Sequence, residues 1–283
     1  MSAAVASAPE VRNGADLAKA RYRRDDAPGP VAWNDALEVI FSHRSVRAYL
    51  PTQLPAGVLE TLVTAAQSAP SSSNLQVWSV VAVTDPERKA RLAALAGDQK
   101  HIIEAPTFLV WLVDLARLRR LAEEHNRPSG ALDYTETFLL GAVDTSLAAQ
   151  NAVVALEALG LGAVYIGGIR NKPREVAQEL SLPSGVFPLL GLAVGYPDPN
   201  RPAAIKPRLP QVSVLFHEQY AWGEAQREAA ESYNPRIRSF QREQGMPETD
   251  WTEQAARRTR GPESMAGRHV LREVLHDLGF ELR

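Results

Sequence analysis

Apolar positions along this chain fall into two periods, and the changes between them mark its elements. Ala36, Leu37, Ile40 and Phe41 recur at helical spacing between Asn34 and Ser42, with Asn34 placed as N-cap. Leu59, Leu62, Val63 and Ala66 do the same within Pro55–Ala69, and Pro70 with the polar run behind it stops that helix. Trp78–Val83 and Thr107–Val113 are short apolar runs suited to buried strands, separated by an amphipathic helix over Pro86–Ala96. Glu136–Leu159 predicts a long helix that is apolar nearly all round and therefore needs cover on several sides. Ala163–Ile166 and Phe187–Val194 supply two further strands around a short helix over Pro173–Leu180. A last amphipathic helix is expected near Val270–Leu278. Helices and strands alternate irregularly, and no internal repeat is visible.

The ends of the chain differ from its middle. Residues 1–33 are rich in Ala, Pro, Gly and charge and read as a surface arm, with folding beginning near Trp33. Residues 34–221 hold the core pattern. Residues 222–283 are charged and proline-punctuated, an extension within the same domain or wrapped on a partner. Arg117–Arg127 and the tail after Trp222 are polar stretches outside the core pattern and are the candidate lids.

Composition narrows the chemistry. The 283 residues carry 31 basic and 33 acidic side chains, a formal charge of −2 that favours neither nucleic acid nor an anionic membrane. Any phosphate must be held locally. Cysteine is absent, which removes disulfides, thiolate nucleophiles and cysteine-ligated metals, so redox chemistry would fall to a cofactor. Glu10, Arg12 and the Arg21, Arg23, Arg24 cluster leave no apolar stretch for a signal peptide, and a cytoplasmic protein is expected. The apolar segment Phe138–Ile169 is broken by Asp144, Gln150, Asn151 and Glu157, which suits a buried helix better than a lipid-facing span.

Two separated basic clusters suit a phosphate: His43, Arg44, Ser45 and Arg47 at a helix end, and Lys206 with Arg208 between prolines. Taken singly, such a cluster is more often a solvated face. Ser71, Ser72, Ser73, Asn74, Leu75 and Gln76 lie between a helix and a buried strand and offer donors and acceptors to a heterocycle edge or a polyol, though a plain surface loop has the same composition. Gly160-Leu161-Gly162 fails as a dinucleotide fingerprint because Tyr165 stands at the third glycine position. Gly167 and Gly168, at a strand end, let backbone approach a flat ring closely, or simply turn the chain. There is no GxxxxGK[ST], HExxH or GxSxG, and the six histidines lack metal-ligand spacing. Asp144 and Glu157 lie too far apart for one helical turn and read as helix-face or interface polar groups.

In order along the chain, His43-Arg44-Ser45-Val46-Arg47, Ser71 to Gln76, Gly97-Asp98-Gln99-Lys100-His101, Val164-Tyr165-Ile166-Gly167-Gly168-Ile169-Arg170 and Lys206-Pro207-Arg208-Leu209-Pro210 resemble the nitroreductase/flavin reductase family, in particular its oxygen-insensitive, NADPH-preferring branch. The likeness runs from about His43 through Tyr220. It implies an α+β fold with a central, mainly antiparallel sheet flanked by helices, and an obligate homodimer with FMN at the interface. By the same resemblance Arg44, Ser45, Lys206 and Arg208 hold the flavin phosphate with His43 nearby, and Arg47 and Gln99 face the pyrimidine edge. Ser71, Ser72, Ser73, Asn74 and Gln76 meet the ring or ribityl chain, from the same subunit or its partner. Tyr165, Ile166, Gly167 and Gly168 line the flavin, the glycines presenting backbone near the reactive ring nitrogen. The long apolar helix becomes the dimer interface.

The resemblance further implies a ping-pong reaction in which NADPH or NADH reduces FMN and a small-molecule acceptor, a nitroaromatic or quinone, takes the electrons. Arg47 is then an electrostatic stabiliser, and no side-chain acid or base is required. Two alternatives keep the site: a flavin reductase feeding a monooxygenase, and a flavin-binding sensor without turnover. The branch's arginine pair ahead of a tail tryptophan has no evident counterpart before Trp251, where Arg236, Arg238 and Arg242 are the nearest candidates, so the choice between the two nicotinamides stays open.

Overall fold

The computed structural model describes residues 14–30 and 32–283. In chain order the helices are α1 (Gly14–Tyr22), α2 (Asp35–Phe41), α3 (Val58–Gln67), α4 (Pro86–Leu95), α5 (Lys100–Glu104) and α6 (Ala116–Glu124). They continue with α7 (Thr135–Ala158), α8 (Pro173–Glu179), α9 (Glu224–Glu243), α10 (Trp251–Thr259) and α11 (Leu271–Asp277). The strands are β1 (Trp78–Val83), β2 (Thr107–Asp114), β3 (Gly162–Ile166) and β4 (Val186–Gly195). They form one sheet in the order β1-β2-β4-β3, with every neighbouring pair antiparallel.

The chain divides into two compact units. The larger holds Ser45–Ala203 and Gly261–Arg283, and with them the sheet. Strand β2 is buried on both faces, which is why it reads as a continuous apolar run. Its Phe108, Val110 and Leu112 join Ile102, Ile166 and Ile169 on one side. On the other, Leu109 and Trp111 pack with Ala148, Ala149, Ala152, Val153 and Leu156 of α7 and Leu62 and Ala66 of α3. Each fully buried large side chain of this kind contributes about 1.5–3 kcal/mol.

Helix α7 is long and apolar enough to cross a bilayer by length and composition, yet Gly141, Asp144, Thr145, Ala148, Ala149 and Ala152 are buried within the fold, as expected of a core helix. Leu139, Val143 and Leu147, at four-residue spacing, form an outward stripe that stays exposed.

The smaller unit holds the described residues up to Arg44 together with Ala204–Arg260. Two elements here differ from the sequence expectation. Residues 14–22, read as part of an arm, form α1, whose Leu17 and Ala18 are buried at 2% exposure each. Two buried side chains are too few to raise an apolar period. Helix α9 was hidden by its charge and by Pro235, but Ala229, Tyr233, Ile237 and Phe240 line one face and are buried, with Leu209 and Trp251 packed against three of them. In the larger unit, residues 116–124, within one of the lid candidates, form a helix, and Arg117 is tied to Asp114 at 3.1 Å.

Candidate active site

Beyond α2 the chain runs along the free edge of β3. Ser45 pairs with Ala163 in a parallel bridge, the Val46 amide donates to the Ala163 carbonyl at 2.9 Å, and Tyr49 bridges Pro197. The Tyr49 hydroxyl donates to the Val46 carbonyl at 2.6 Å and lies 3.0 Å from that of Ala193, and burial pushes its pKa well above the ordinary tyrosine value. Val46 and Ala48 are buried while Ser45 and Arg47 between them are exposed, so strand alternation sets the two polar side chains on one face. Burial and then the Arg47 charge hold the His101 pKa below its usual value, and His101 Nε2 is buried without a hydrogen-bond partner.

Strand β3 ends at Ile166, and Gly167–Arg170 turns tightly. A Cβ on Gly168 would collide with the Ala96 carbonyl oxygen and come 2.5 Å from Gln99 Nε2, so only glycine fits there. Gln99 Nε2 donates to the Ala96 carbonyl at 2.8 Å, which holds that amide beside the Gly168 backbone. A Cβ on Gly167 would make only ordinary contact, with Arg170 Nη2 at 3.5 Å and Arg268 Nη1 at 3.7 Å, so a methyl group fits there. Ile166 is 1% exposed and its side chain belongs to the core, leaving only its backbone for a ligand. Tyr165 is partly exposed, with its hydroxyl 3.4 Å from Gln150 Oε1.

The Ser71–Gln76 loop is held from two sides. Asp144, at 3% exposure on α7, accepts from the Ser71 hydroxyl at 2.8 Å and the Ser72 amide at 3.2 Å. Ser71 Oγ in turn accepts from the Gln76 amide at 2.9 Å, and Arg117 donates to the Gln76 carbonyl at 2.8 Å. Ser73, Asn74 and Gln76 all sit at positive φ, 50°, 54° and 51°, a strained conformation that persists only where the surroundings enforce it. Ser72, Ser73, Asn74 and Gln76 are exposed. No sequence pattern marks Asp144 and Arg117 for holding this loop. Asp144 is a loop anchor, in place of the helix-face or interface group expected.

In the smaller unit the basic residues at the end of α2 and those of the 206–208 loop are joined by Arg21. Its Nη2 donates to the His43 carbonyl at 2.7 Å and its Nη1 to the Lys206 carbonyl at 2.9 Å. Arg208 donates through its amide to the Arg21 carbonyl at 2.9 Å, and its guanidinium reaches the Lys206 carbonyl at 3.2 Å. The Tyr233 hydroxyl fixes the Pro207 carbonyl at 2.7 Å. Lys206 and Arg208 are exposed on this loop and Arg44 is half-buried at the end of α2, cations suited to an anion. Of the tail arginines, Arg238 pairs with Asp250 and Arg242 with Glu248 at 2.9 Å, while Arg236 Nη1 is buried without a partner.

The glycine-backed turn with an amide beside it in the larger unit, and the cationic cluster in the smaller one, suit a protein whose chemistry is carried by a bound phosphorylated cofactor. Comparison with known proteins agrees. The nitroreductase family matches residues 40–196, and that family's C-terminal domain matches residues 206–283. The FMN reductase (NADPH) of Bacillus subtilis is 40% identical over 225 residues, covering 78% of this chain and 90% of that protein. The oxygen-insensitive NADPH nitroreductase of Salmonella typhimurium is 40% identical over 184 residues, 65% of this chain and 74% of its own. A solved structure of NADPH:FMN oxidoreductase from Vibrio harveyi complexed with NAD+ superposes with a TM-score of 0.77 at 33% identity, covering 88% of this chain and all of that one. The chain belongs to the nitroreductase family.

Proposed function

We propose that this protein is an FMN-dependent NAD(P)H oxidoreductase that passes electrons to nitroaromatics, quinones or related small acceptors by a ping-pong route. The observation that carries this reading is the Gly167–Gly168 turn, closed to any side chain at Gly168, where the Gln99 amide lies alongside, and flanked at Gly167 by the guanidinium groups of Arg170 and Arg268. Such a surface accepts a flat ring against backbone, with an amide at its edge. The donor set fits the rest of the cofactor: Arg44, Lys206 and Arg208, with Ser45 and His43, supply cations and donors for a phosphate.

When bound, FMN supplies the hydride chemistry. Arg47 would stabilise negative charge on the reduced cofactor, and Gln99 would hold its pyrimidine edge. Asn74, Gln76 and Ser71–Ser73 offer hydrogen bonds to the ring or ribityl chain from a loop rigidified by Asp144 and Arg117. Burial keeps His101 neutral beside Arg47, so it adds no competing charge. The homodimer forms through the exposed stripe of α7, whose Leu139, Val143 and Leu147 would otherwise face water. The cytoplasm is the compartment that supplies reduced nicotinamide.

The test is the visible spectrum of the purified protein, recorded anaerobically before and after one equivalent of NADPH. An oxidised-flavin spectrum that bleaches is expected. A colourless protein that cannot be reconstituted with FMN would overturn the reading. The curated relatives named as flavin reductases favour a second acceptor, free flavin, and turnover with free FMN against a nitroaromatic separates the two.

A further inference from the structure

We infer that Arg21 is a positioning residue for the flavin phosphate: from the end of α1 it clamps together the two backbone segments that carry the phosphate-binding cations, and so sets FMN affinity. The inference rests on the assignment of Arg44, Lys206 and Arg208 to the phosphate, and goes beyond it, since Arg21 lies ahead of residue 40, where the family match begins.

The geometry is that of a clamp. One guanidinium donates to the Phe41 carbonyl at 3.1 Å, the His43 carbonyl at 2.7 Å and the Lys206 carbonyl at 2.9 Å. The two segments it ties lie 22 and 185 positions further along the chain. The Arg21 carbonyl closes the arrangement by accepting from the Arg208 amide at 2.9 Å. A planar fork of donors can serve several carbonyls at once, which an ammonium on a flexible stem cannot do with the same geometry.

Helix α1 is itself fixed in place. Leu17 and Ala18 are buried, and Trp33 meets Phe41 edge-on at 5.4 Å. Two residues past Arg21, Arg23 donates to Glu243 at 2.6 Å and lies 5.4 Å above the Phe240 ring. An anion site built from three cations on two segments repels itself when empty, and any freedom of those segments must be lost when the phosphate binds. Tying their carbonyls to a helix that is already docked removes that freedom in advance.

The experiment measures dissociation constants for FMN and for riboflavin, which lacks the phosphate, by quenching of flavin fluorescence. Arg21→Ala is expected to weaken FMN about tenfold, the scale of losing charge-assisted hydrogen bonds and preorganisation, with riboflavin changed by less than about twofold. Arg21→Lys, with a cation but no fork, is expected to fall between, at about threefold. Should Arg21→Ala fail to fold, judged by circular dichroism of the apoprotein, Arg21→Lys carries the same comparison.

Lys206→Gln separates the two layers of the argument. If it narrows the difference between FMN and riboflavin while the Arg21 variants bind both like the parent, the clamp is refuted and the phosphate assignment stands. If Lys206→Gln leaves that difference untouched, the phosphate assignment fails and the clamp fails with it. Equal losses of FMN and riboflavin in the Arg21 variants also overturn the clamp, because they mark a general structural defect.

Discussion

The buried carboxylate of Asp144 accepts the Ser71 hydroxyl at 2.8 Å, across 73 positions of sequence. It also takes the Ser72 amide at 3.2 Å, so a single side chain on the core helix holds the start of a loop whose next residues are strained. Asp144→Ala would remove the acceptor of both donors, a cost of about 1–3 kcal/mol at most at the half-buried Ser71 hydroxyl and less at the exposed Ser72, whose amide can turn to water. Lower thermal stability and weaker FMN binding are expected, with Asp144→Asn milder because one acceptor survives. Thermal denaturation and flavin titration measure both, and an Asp144→Ala protein as stable as the parent would refute the anchor.

Neighbouring glycines give opposite expectations. Gly168→Ala drives a methyl into the Ala96 carbonyl and the Gln99 amide, so the backbone must shift and stability falls by about 1–3 kcal/mol, the usual scale of overpacking. Gly167→Ala meets nothing closer than 3.5 Å and should melt like the parent. If a ring lies over this turn, Gly167→Ala still loses flavin affinity. Unchanged affinity there would remove the ring from that position.

The exposed stripe of α7 gives a prediction about assembly. Leu139, Val143 and Leu147 are 56%, 49% and 40% exposed in the single chain, an unusual cost for three aliphatic side chains on one helix face. A charge at Val143→Glu is expected to split the dimer, read as a halved mass in sedimentation equilibrium. A variant that stays dimeric with the parent's affinity places the interface elsewhere.

His101 should govern part of the acid sensitivity of the fold. Burial, with Arg47 adding to it, lowers its folded pKa below the ordinary histidine value of about 6.5, so the unfolded chain takes up a proton first as pH falls. Its contribution is therefore intact above the unfolded value and is lost as pH falls through the lower folded one. The slope is at most about 1.4 kcal/mol per pH unit for one group. Denaturant midpoints followed from about pH 7 to about pH 5 should fall less steeply for His101→Gln than for the parent. Parallel profiles would show that His101 does not titrate differently on folding.

Most elements of the sheet unit were legible because each carries its own local period. Trp78–Val83 is a strand with the ends the apolar run suggests, and Asn34 caps α2 by accepting from the Leu37 amide at 3.0 Å. Helix α9 escaped because Pro235 and a dense run of charge mask the face formed by Ala229, Tyr233, Ile237 and Phe240. Helix α1 escaped because it buries little. At the site, the residue types that suit a phosphate and a ring edge stand out in sequence, since few side chains serve those purposes.

What the sequence by itself determined is the inventory: the strands and helices of the core, an apolar central helix, two basic clusters, a serine-rich loop and a glycine pair, in an order whose resemblance to one family implies the antiparallel α+β fold. What only the tertiary structure decided is what holds them. Arg21, Asp144 and Arg117 act on carbonyls, amides and hydroxyls far away in the chain. Every residue carries a carbonyl, so no spacing announces which one a guanidinium will reach, and that choice is made only when the chain is folded.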